Sequence, residues 1–115
     1  MYNIIKTNNR QRYIGFKLIS ESEESIKKKD LFSEIQKLCR TKYNRYCTDM
    51  GLRLIRFDGT FGIIRCKHVE KENTISLLNS LEHIKSIDVK IKTLYTSGTI
   101  KSLIKRIMNL TFVLY

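Results

Sequence analysis

Residues 51–67 read GLRLIRFDGTFGIIRCK, and they contain the clearest structural signal in the chain. Two runs rich in aliphatic and aromatic residues flank Asp58-Gly59, a dipeptide that tolerates the positive φ angles of a tight hairpin turn. We therefore predict two antiparallel strands, at about Gly51–Phe57 and Thr60–Val69.

The segments on either side of this hairpin have the spacing of helices. Upstream, Asp30 is placed to cap a helix that runs to about Tyr43, because apolar residues recur there every three or four positions. Downstream, the same periodicity predicts a helix at about Glu70–His83.

Further outward, two more strands and a last helix complete the pattern. Apolar residues alternate with polar ones at Arg12–Ile19 and at Ser86–Tyr95, which predicts half-buried strands. A helix is predicted from about Thr99, where apolar residues return to helical spacing. The apolar tail 110–115 is open to three interpretations: a fifth strand, a docking segment, or burial within the domain.

The element order β-α-β-β-α-β plus a C-terminal helix is typical of an α+β, ferredoxin-like sandwich, the arrangement of the RNA recognition motif. In this arrangement both main helices cover one face of an antiparallel sheet, and the other face stays open unless something covers it. We predict one domain over residues 1–115 because that length suits a single core.

Positive charge is strongly segregated along the chain. The sequence has 22 Lys and Arg against 11 Asp and Glu, a net charge of +11, and its isoelectric point is about 9.8. Cations concentrate in residues 36–67 and 85–115, whereas Glu21, Glu23 and Glu24 cluster in a connecting loop. This pattern indicates a polyanionic partner, most commonly a nucleic acid; a merely lysine-rich surface is the alternative.

Little in the sequence indicates catalysis or metal binding. Cys39, Cys47 and Cys66 include no C-x-x-C pair and are interpreted as free thiols. His68 is predicted to point inward with Ile64 and Cys66, and His83 to lie at a helix end. We predict no catalytic residue, no bound metal and no cofactor on the protein. The chain has neither a secretory signal nor an apolar run long enough to span a bilayer, so a cytoplasmic protein without a membrane partner is expected.

Two segments are candidates for nucleic-acid contact. In the third strand, Phe61 is the one ring left on the open face, beside Arg65 and Lys67, which suits phosphate contacts better than base reading. At Ser97-Gly98-Thr99, a helix N-terminus offers N–H groups to an anion, although a plain N-cap is an equal alternative. The predicted RNA contacts are Arg65, Lys67, Lys101, Lys105 and Arg106, followed by Arg10 and Arg12.

These segments resemble those of the archaeal ribonuclease P protein component 2 family, which has eukaryotic relatives in ribonuclease P and ribonuclease MRP. The likeness is carried by Arg10-Gln11-Arg12-Tyr13-Ile14-Gly15-Phe16-Lys17, Phe61-Gly62-Ile63-Ile64-Arg65-Cys66 and Ser97-Gly98-Thr99-Ile100-Lys101, with Gly51-Leu52 opening the second strand. It spans about residues 10–107.

The resemblance implies a ferredoxin-like, non-catalytic subunit of an endoribonuclease. Such a subunit assists the catalytic RNA of ribonuclease P in removing the 5′ leader from precursor tRNA, with magnesium ions on the RNA. It also implies a partner, ribonuclease P protein component 3, in a two-plus-two complex. Two alternatives remain: another RNA-binding module, such as a ribosomal or degenerate recognition-motif protein, and a regulatory domain that binds a small anion.

Overall fold

The computed structural model describes residues 10–113 and their side chains as far as residue 108. Five strands and three helices lie in this range. In chain order they are β1 (Gln11–Ser20), α1 (Lys28–Tyr43), β2 (Arg53–Phe57), β3 (Phe61–Lys67), α2 (Lys71–Asn79), β4 (His83–Ile84), β5 (Ile87–Ser97) and α3 (Ile100–Val113). No helix within residues 10–113 has the length and apolar content needed to cross a bilayer.

The strands form one antiparallel sheet in the order β2-β3-β1-β5-β4. The four longer strands have the ferredoxin-like connectivity that the sequence predicted, so the α+β fold class is confirmed. β4 is an addition: a two-residue turn at Lys85-Ser86, where Lys85 has φ 57°, folds it against the start of β5.

The main core lies between the sheet and helices α1 and α2. Ile14, Phe16 and Leu18 of β1 alternate onto this side and are almost fully buried, as predicted. The Phe16 ring occupies the space beside Gly62, where an added Cβ would lie 2.3 Å from its Cζ. Glycine is therefore required at this close approach of ring and strand.

The second face of the sheet is partly covered by α3. Leu103 is fully buried, and a Cβ at Gly15 would lie 2.9 Å from Ile107 Cδ1, so the helix lies directly on β1. The Thr99 hydroxyl accepts a hydrogen bond from the Ser102 N–H at 3.2 Å, which confirms the predicted start of this helix. α3 continues to Val113, so the fifth strand suggested for the tail is wrong for residues 110–113. The side chains of that tail lie outside the described residues, and so does its docking role.

The predicted cap of α1 is wrong. The helix begins at Lys28, and its N-cap, Lys27, makes no side-chain capping bond. Asp30 lies in the first turn instead, where a carboxylate suits the positive end of the helix dipole, and it pairs with Lys85 at 3.3 Å.

Both histidines lie elsewhere than predicted. β3 ends at Lys67, opposite the first residue of β1, and the chain then enters a 3-10 turn at His68–Glu70 that leaves His68 exposed rather than inward. α2 ends at Asn79: the Ser80 N–H still donates to the Ser76 carbonyl, whereas the Leu81 N–H donates to the Leu78 carbonyl, only three residues back. His83 therefore lies in β4, where its Nδ1 is 2.7 Å from an Asp88 oxygen.

Candidate nucleic-acid interface

The side of the sheet that faces away from α1 and α2 is strongly cationic, and we call it the basic face. Directly opposed residues of an antiparallel pair share a face, so the register and the two-residue alternation define its members. Its cations are Lys17, Arg53, Arg56, Arg65, Lys67, Lys90 and Lys92. Arg65 and Lys67 share this face with Phe61, as the sequence predicted.

Like charges stand directly opposite one another on this face. Arg53 of β2 pairs with Arg65 of β3, and Lys17 of β1 pairs with Lys92 of β5. Such pairs destabilise a sheet, whereas opposite charges stabilise it. The strand pairing therefore holds positive charges together at a cost to the folded protein, which an anionic ligand offsets.

Arg65 occupies the centre of a row that crosses four strands. The register places Arg53, Arg65, Tyr13 and Ser97 side by side across β2, β3, β1 and β5. Arg65 is half-buried, and its Nε is shielded from solvent without a hydrogen-bond partner among the described residues. A shielded donor without a partner is uncommon in folded proteins, which makes Arg65 a candidate for interaction with a ligand phosphate.

The start of α3 adjoins one end of this row. The Ser97 hydroxyl accepts a hydrogen bond from the Thr99 N–H at 3.4 Å, so the turn is held by its own side chains. A Cβ on Gly98 would lie 3.5 Å from Arg12 Nη1, which places that guanidinium beside the turn. Lys101 is exposed in the first turn of the helix. The helix N-terminus therefore has the Arg12 guanidinium beside it and Lys101 in its first turn.

The remaining predicted contacts on α3 lie further along the helix. Lys105 is exposed, like Lys101 one turn earlier, so both ammonium groups are accessible to a ligand. Arg106 turns toward β5, where its guanidinium lies 5.9 Å from the Tyr95 ring and its Nη1 donates to the Thr96 carbonyl at 3.4 Å.

A second group of cations surrounds His68 at the end of the sheet. The pKa of His68 lies below its ordinary value, chiefly because of the Arg12 charge, then because of partial burial and the charges of Arg10 and Lys71. The Arg10 carbonyl accepts the His68 N–H at 2.8 Å, which holds the two residues together. Arg12, Arg10 and Lys71 therefore all contribute positive charge around His68.

Lys67, another predicted RNA contact, is itself held in the folded structure. Its Nζ donates to the Asp49 carbonyl at 3.0 Å. Its Cγ would be 2.7 Å from a Cβ on Gly51, whose φ of 68° also favours glycine. Lys67 therefore holds the loop between α1 and β2 with one of its three N–H donors.

Sequence reasoning missed several cations of the basic face as contacts. Lys17, Arg53 and Arg56 lie there beside the predicted Arg65, and so do Lys90 and Lys92. The signal was available, because each occupies the strand position that alternates with buried apolar residues. Arg45, by contrast, pairs with Glu70 at 2.9 Å and serves the folded structure.

The described residues hold no cluster of three or more His, Cys, Asp or Glu side chains that could bind a metal ion. Cys66 is fully buried on the helical side of β3 and His68 is exposed beyond the strand, so the two side chains do not converge.

Comparison with known proteins agrees with this architecture. The model of the Rpp14/Pop5 family, a ribonuclease P family, matches residues 12–108. Ribonuclease P protein component 2 of Archaeoglobus fulgidus is 32% identical over 81% of this chain and 84% of its own length. The Pyrococcus furiosus protein of the same name is 33% identical over 88% and 85%, respectively.

A solved structure has the same fold. A chain in the cryo-EM structure of yeast ribonuclease MRP superposes with a TM-score of 0.61 over 90% of this chain and 92% of that one, at 12% identity. The segment that the family model matches, residues 12–108, contains the whole sheet from Arg12 onward and α3 as far as Met108. The chain belongs to the Rpp14/Pop5 family.

Proposed function

We propose that this chain is an RNA-binding protein subunit of ribonuclease P that assists removal of the 5′ leader from precursor tRNA. The observation that carries the proposal is the strand register of the basic face, which places Arg53 opposite Arg65 and Lys17 opposite Lys92. Membership of the Rpp14/Pop5 family, together with relatives named ribonuclease P protein component 2, supports ribonuclease P RNA as the polyanion that the basic face binds.

The role that fits these residues is electrostatic. A folded RNA brings its phosphates close together, and protein cations that contact them release condensed counterions and reduce the repulsion. The guanidinium groups of Arg53 and Arg65 suit phosphate oxygens because each presents a planar fork of N–H donors. Bond cleavage itself is assigned to the catalytic RNA and its magnesium ions, so the protein contributes binding and no catalytic residue.

Two further elements of the proposal concern the partners. The subunit pairs with ribonuclease P protein component 3, in a two-plus-two assembly of the kind that the family resemblance implies, and acts in the cytoplasm. The proposed RNA contacts are the sequence-predicted set, namely Arg65, Lys67, Lys101, Lys105, Arg106, Arg10 and Arg12. To these we add Lys17, Arg53, Arg56, Lys90 and Lys92 of the basic face.

Reconstitution at limiting magnesium tests the proposal. Cognate ribonuclease P RNA and component 3 are mixed with or without this chain, and precursor-tRNA cleavage is measured as magnesium is lowered. We expect the chain to lower the magnesium concentration that cleavage requires. The variant Lys17→Gln/Lys92→Gln should lower it less than the wild type does. Lys29→Gln/Lys37→Gln, which removes the same charge from the exposed side of α1, is the matched control.

Two results would count against the proposal. The first is cleavage that does not respond to the chain at any magnesium concentration. The second is equal loss in the basic-face and α1 variants, because net charge alone would then explain the effect. Failure to co-purify with component 3 while RNA binding persists would favour a different RNA-binding module.

A further inference from the structure

Two cysteines that the proposed function does not use lie against each other inside the molecule. Cys39 belongs to the last turns of α1, and Cys47 lies in the loop that leads to β2. Their Sγ atoms are 3.2 Å apart, and both side chains are buried. The third cysteine, Cys66, lies on β3, a different element.

The backbone at the end of α1 fixes this contact. Asn44 takes the left-handed conformation, with φ 55° and ψ 41°, and its N–H donates to the Arg40 carbonyl at 3.1 Å. The Arg45 N–H then donates to the Cys39 carbonyl at 3.2 Å. This chain reversal returns Cys47 to the helix, where the Leu52 N–H holds the Cys47 carbonyl at 2.9 Å.

We propose that Cys39 and Cys47 are a redox-active dithiol, a modification site that a peroxide closes to an intramolecular disulfide. A disulfide needs its sulfur atoms about 2.05 Å apart, so they must approach by little more than 1 Å from the distance observed. Closure of a pair already in contact requires local adjustment of the loop rather than unfolding.

The surroundings favour reaction at this pair over Cys66. The pKa of Cys39 lies below its ordinary value, mainly because it accepts a hydrogen bond from Cys47, with burial opposing and the charge of Arg45 assisting. Burial is the main cause that raises the pKa of Cys66. Because the thiolate is the reactive form, oxidation begins at Cys39.

A surface pocket reaches Cys47, the outer member of the pair. A pocket of about 270 Å³ is lined by Gln36, Arg40, Tyr46, Cys47 and Thr48. Cys47 forms part of its wall, and the Cys39 sulfur lies in contact behind it. The Arg40 guanidinium lies 5.4 Å from the Tyr46 ring, and both residues line this pocket.

The chemistry balances in two steps. The Cys39 thiolate attacks one oxygen of hydrogen peroxide, the O–O bond breaks, and the departing hydroxide takes up the proton that Cys39 released on ionisation and becomes water. The Cys47 thiol then loses its proton and attacks the Cys39 sulfenic sulfur, the S–O bond breaks and a second water leaves. Two thiols and one peroxide thus give one disulfide and two waters, and a dithiol reductant reverses the change.

The Cys39–Cys47 disulfide would restrict the loop whose Asp49 carbonyl holds Lys67 of the basic face. Within this loop, the Asp49 carbonyl accepts hydrogen bonds from Lys67 Nζ at 3.0 Å and from Arg45 Nη2 at 3.2 Å. A covalent tie from Cys47 to α1 limits the motion of that carbonyl. The site itself does not depend on RNA, so its test is independent of the proposed function.

Peptide mapping of the full-length protein tests the site. Trypsin places the three cysteines in separate peptides, Leu38–Arg40, Tyr46–Arg53 and Cys66–Lys67. After treatment of the folded protein with stoichiometric hydrogen peroxide and alkylation, we expect the first two peptides to be linked and the third to be alkylated. After reduction with dithiothreitol, both cysteines should again be alkylated.

Variants and melting temperatures complete the test. We expect Cys66→Ala to form the same link, whereas Cys47→Ala should form none. Oxidation should raise the melting temperature of the wild type by roughly 5–15 °C, because the bridge restricts the unfolded chain, and should leave Cys47→Ala unchanged. Links that include Cys66, links between molecules, or full alkylation of Cys39 and Cys47 after peroxide would each overturn the proposal.

Discussion

Single residues define how closely the layers of this protein approach one another. The sequence marked Ile14, Phe16 and Leu18 as one face of a strand, and all three are buried. It did not reveal that Gly62 faces the Phe16 ring, since a close approach between two strands depends on register and not on local pattern. Close contacts of this kind were accessible only from the folded arrangement.

Gly62→Ala should be strongly destabilising. The added methyl group would overlap the Phe16 ring, which is itself fully buried and stacked near Phe57 at 6.1 Å between centroids. Overpacking of a core costs about 1–3 kcal/mol, and urea unfolding should report a loss of this size. Gly98→Ala is the control, because its Cβ would lie 3.5 Å from Arg12 Nη1 in ordinary contact. Equal stability of the two variants would contradict the packing described.

Glu70 should make the stability of the protein sensitive to acid. Burial raises the pKa of its carboxyl, but hydrogen bonds from Asn73 and Arg45 together with the Arg45 charge outweigh that effect, so the pKa lies below its ordinary value. A lowered pKa in the folded state stabilises the protein above the unfolded value of about 4.3. This contribution is lost as the pH falls through the lower, folded value.

The Arg45→Gln variant tests this assignment. We expect it to lose about 1–2 kcal/mol at neutral pH, because a nearly buried carboxylate loses its ion pair at 2.9 Å. Its melting temperature should also fall less steeply than that of the wild type between about pH 5 and pH 2. A steeper acid dependence in the variant would refute the role given to Arg45.

At the scale of elements, the sequence predicted the sheet better than the ends of its helices. Asp58-Gly59 and the alternating strands were sufficient for the hairpin and for the order of the elements. The apolar spacing predicts a second helix that runs to His83, and Leu81 and Ile84, which continue that spacing, are buried. They reach the core from a turn and from β4, and apolar spacing alone does not distinguish these cases.

The position of α3 was the largest element-level surprise. Its helical pattern was predicted, but nothing local to it specified the sheet face that it would cover. Leu103 and Ile107 lie over Gly15, and Ile63 is buried on the same side. The helix therefore covers part of the face that stays open in this arrangement unless something covers it, and the basic face is the part that remains.

The Thr99 cap can be tested at this scale. Thr99→Ala removes the hydroxyl that accepts the Ser102 N–H, and we expect a loss of about 1 kcal/mol in unfolding free energy. Ser102→Ala changes a neighbouring exposed hydroxyl while keeping that N–H, and should be nearly neutral. If both variants match the wild type in chemical denaturation, the start of α3 is not held by this bond.

Across the whole molecule, positive charge is the dominant feature. Composition alone predicted a polyanionic partner from a net charge of +11. The strand register then placed like charges in direct opposition, which composition could not foresee. The RNA contacts predicted from the sequence on β3 and α3 lie around the same end of the sheet. The register places further cations beside them on β1, β2 and β5.

Removing the opposed charges should therefore stabilise the free protein. In Arg53→Gln/Arg65→Gln, the repulsion across β2 and β3 is relieved, and no hydrogen bond of Arg65 Nε within the described residues is lost. We expect the unfolding free energy to stay equal or to rise by about 0.2–1 kcal/mol at low salt. A clear loss of stability would show that these arginines hold the fold together.

The most direct test of the central claim is the salt dependence of binding to ribonuclease P RNA, measured as the slope of log Kd against log salt concentration. If Arg53 and Arg65 each contact a phosphate, Arg53→Gln/Arg65→Gln should reduce the magnitude of this slope by about 1.4–1.8. Lys29→Gln/Lys37→Gln should leave it unchanged. An unaltered slope in the arginine variant, or an equal reduction in both variants, would contradict the account.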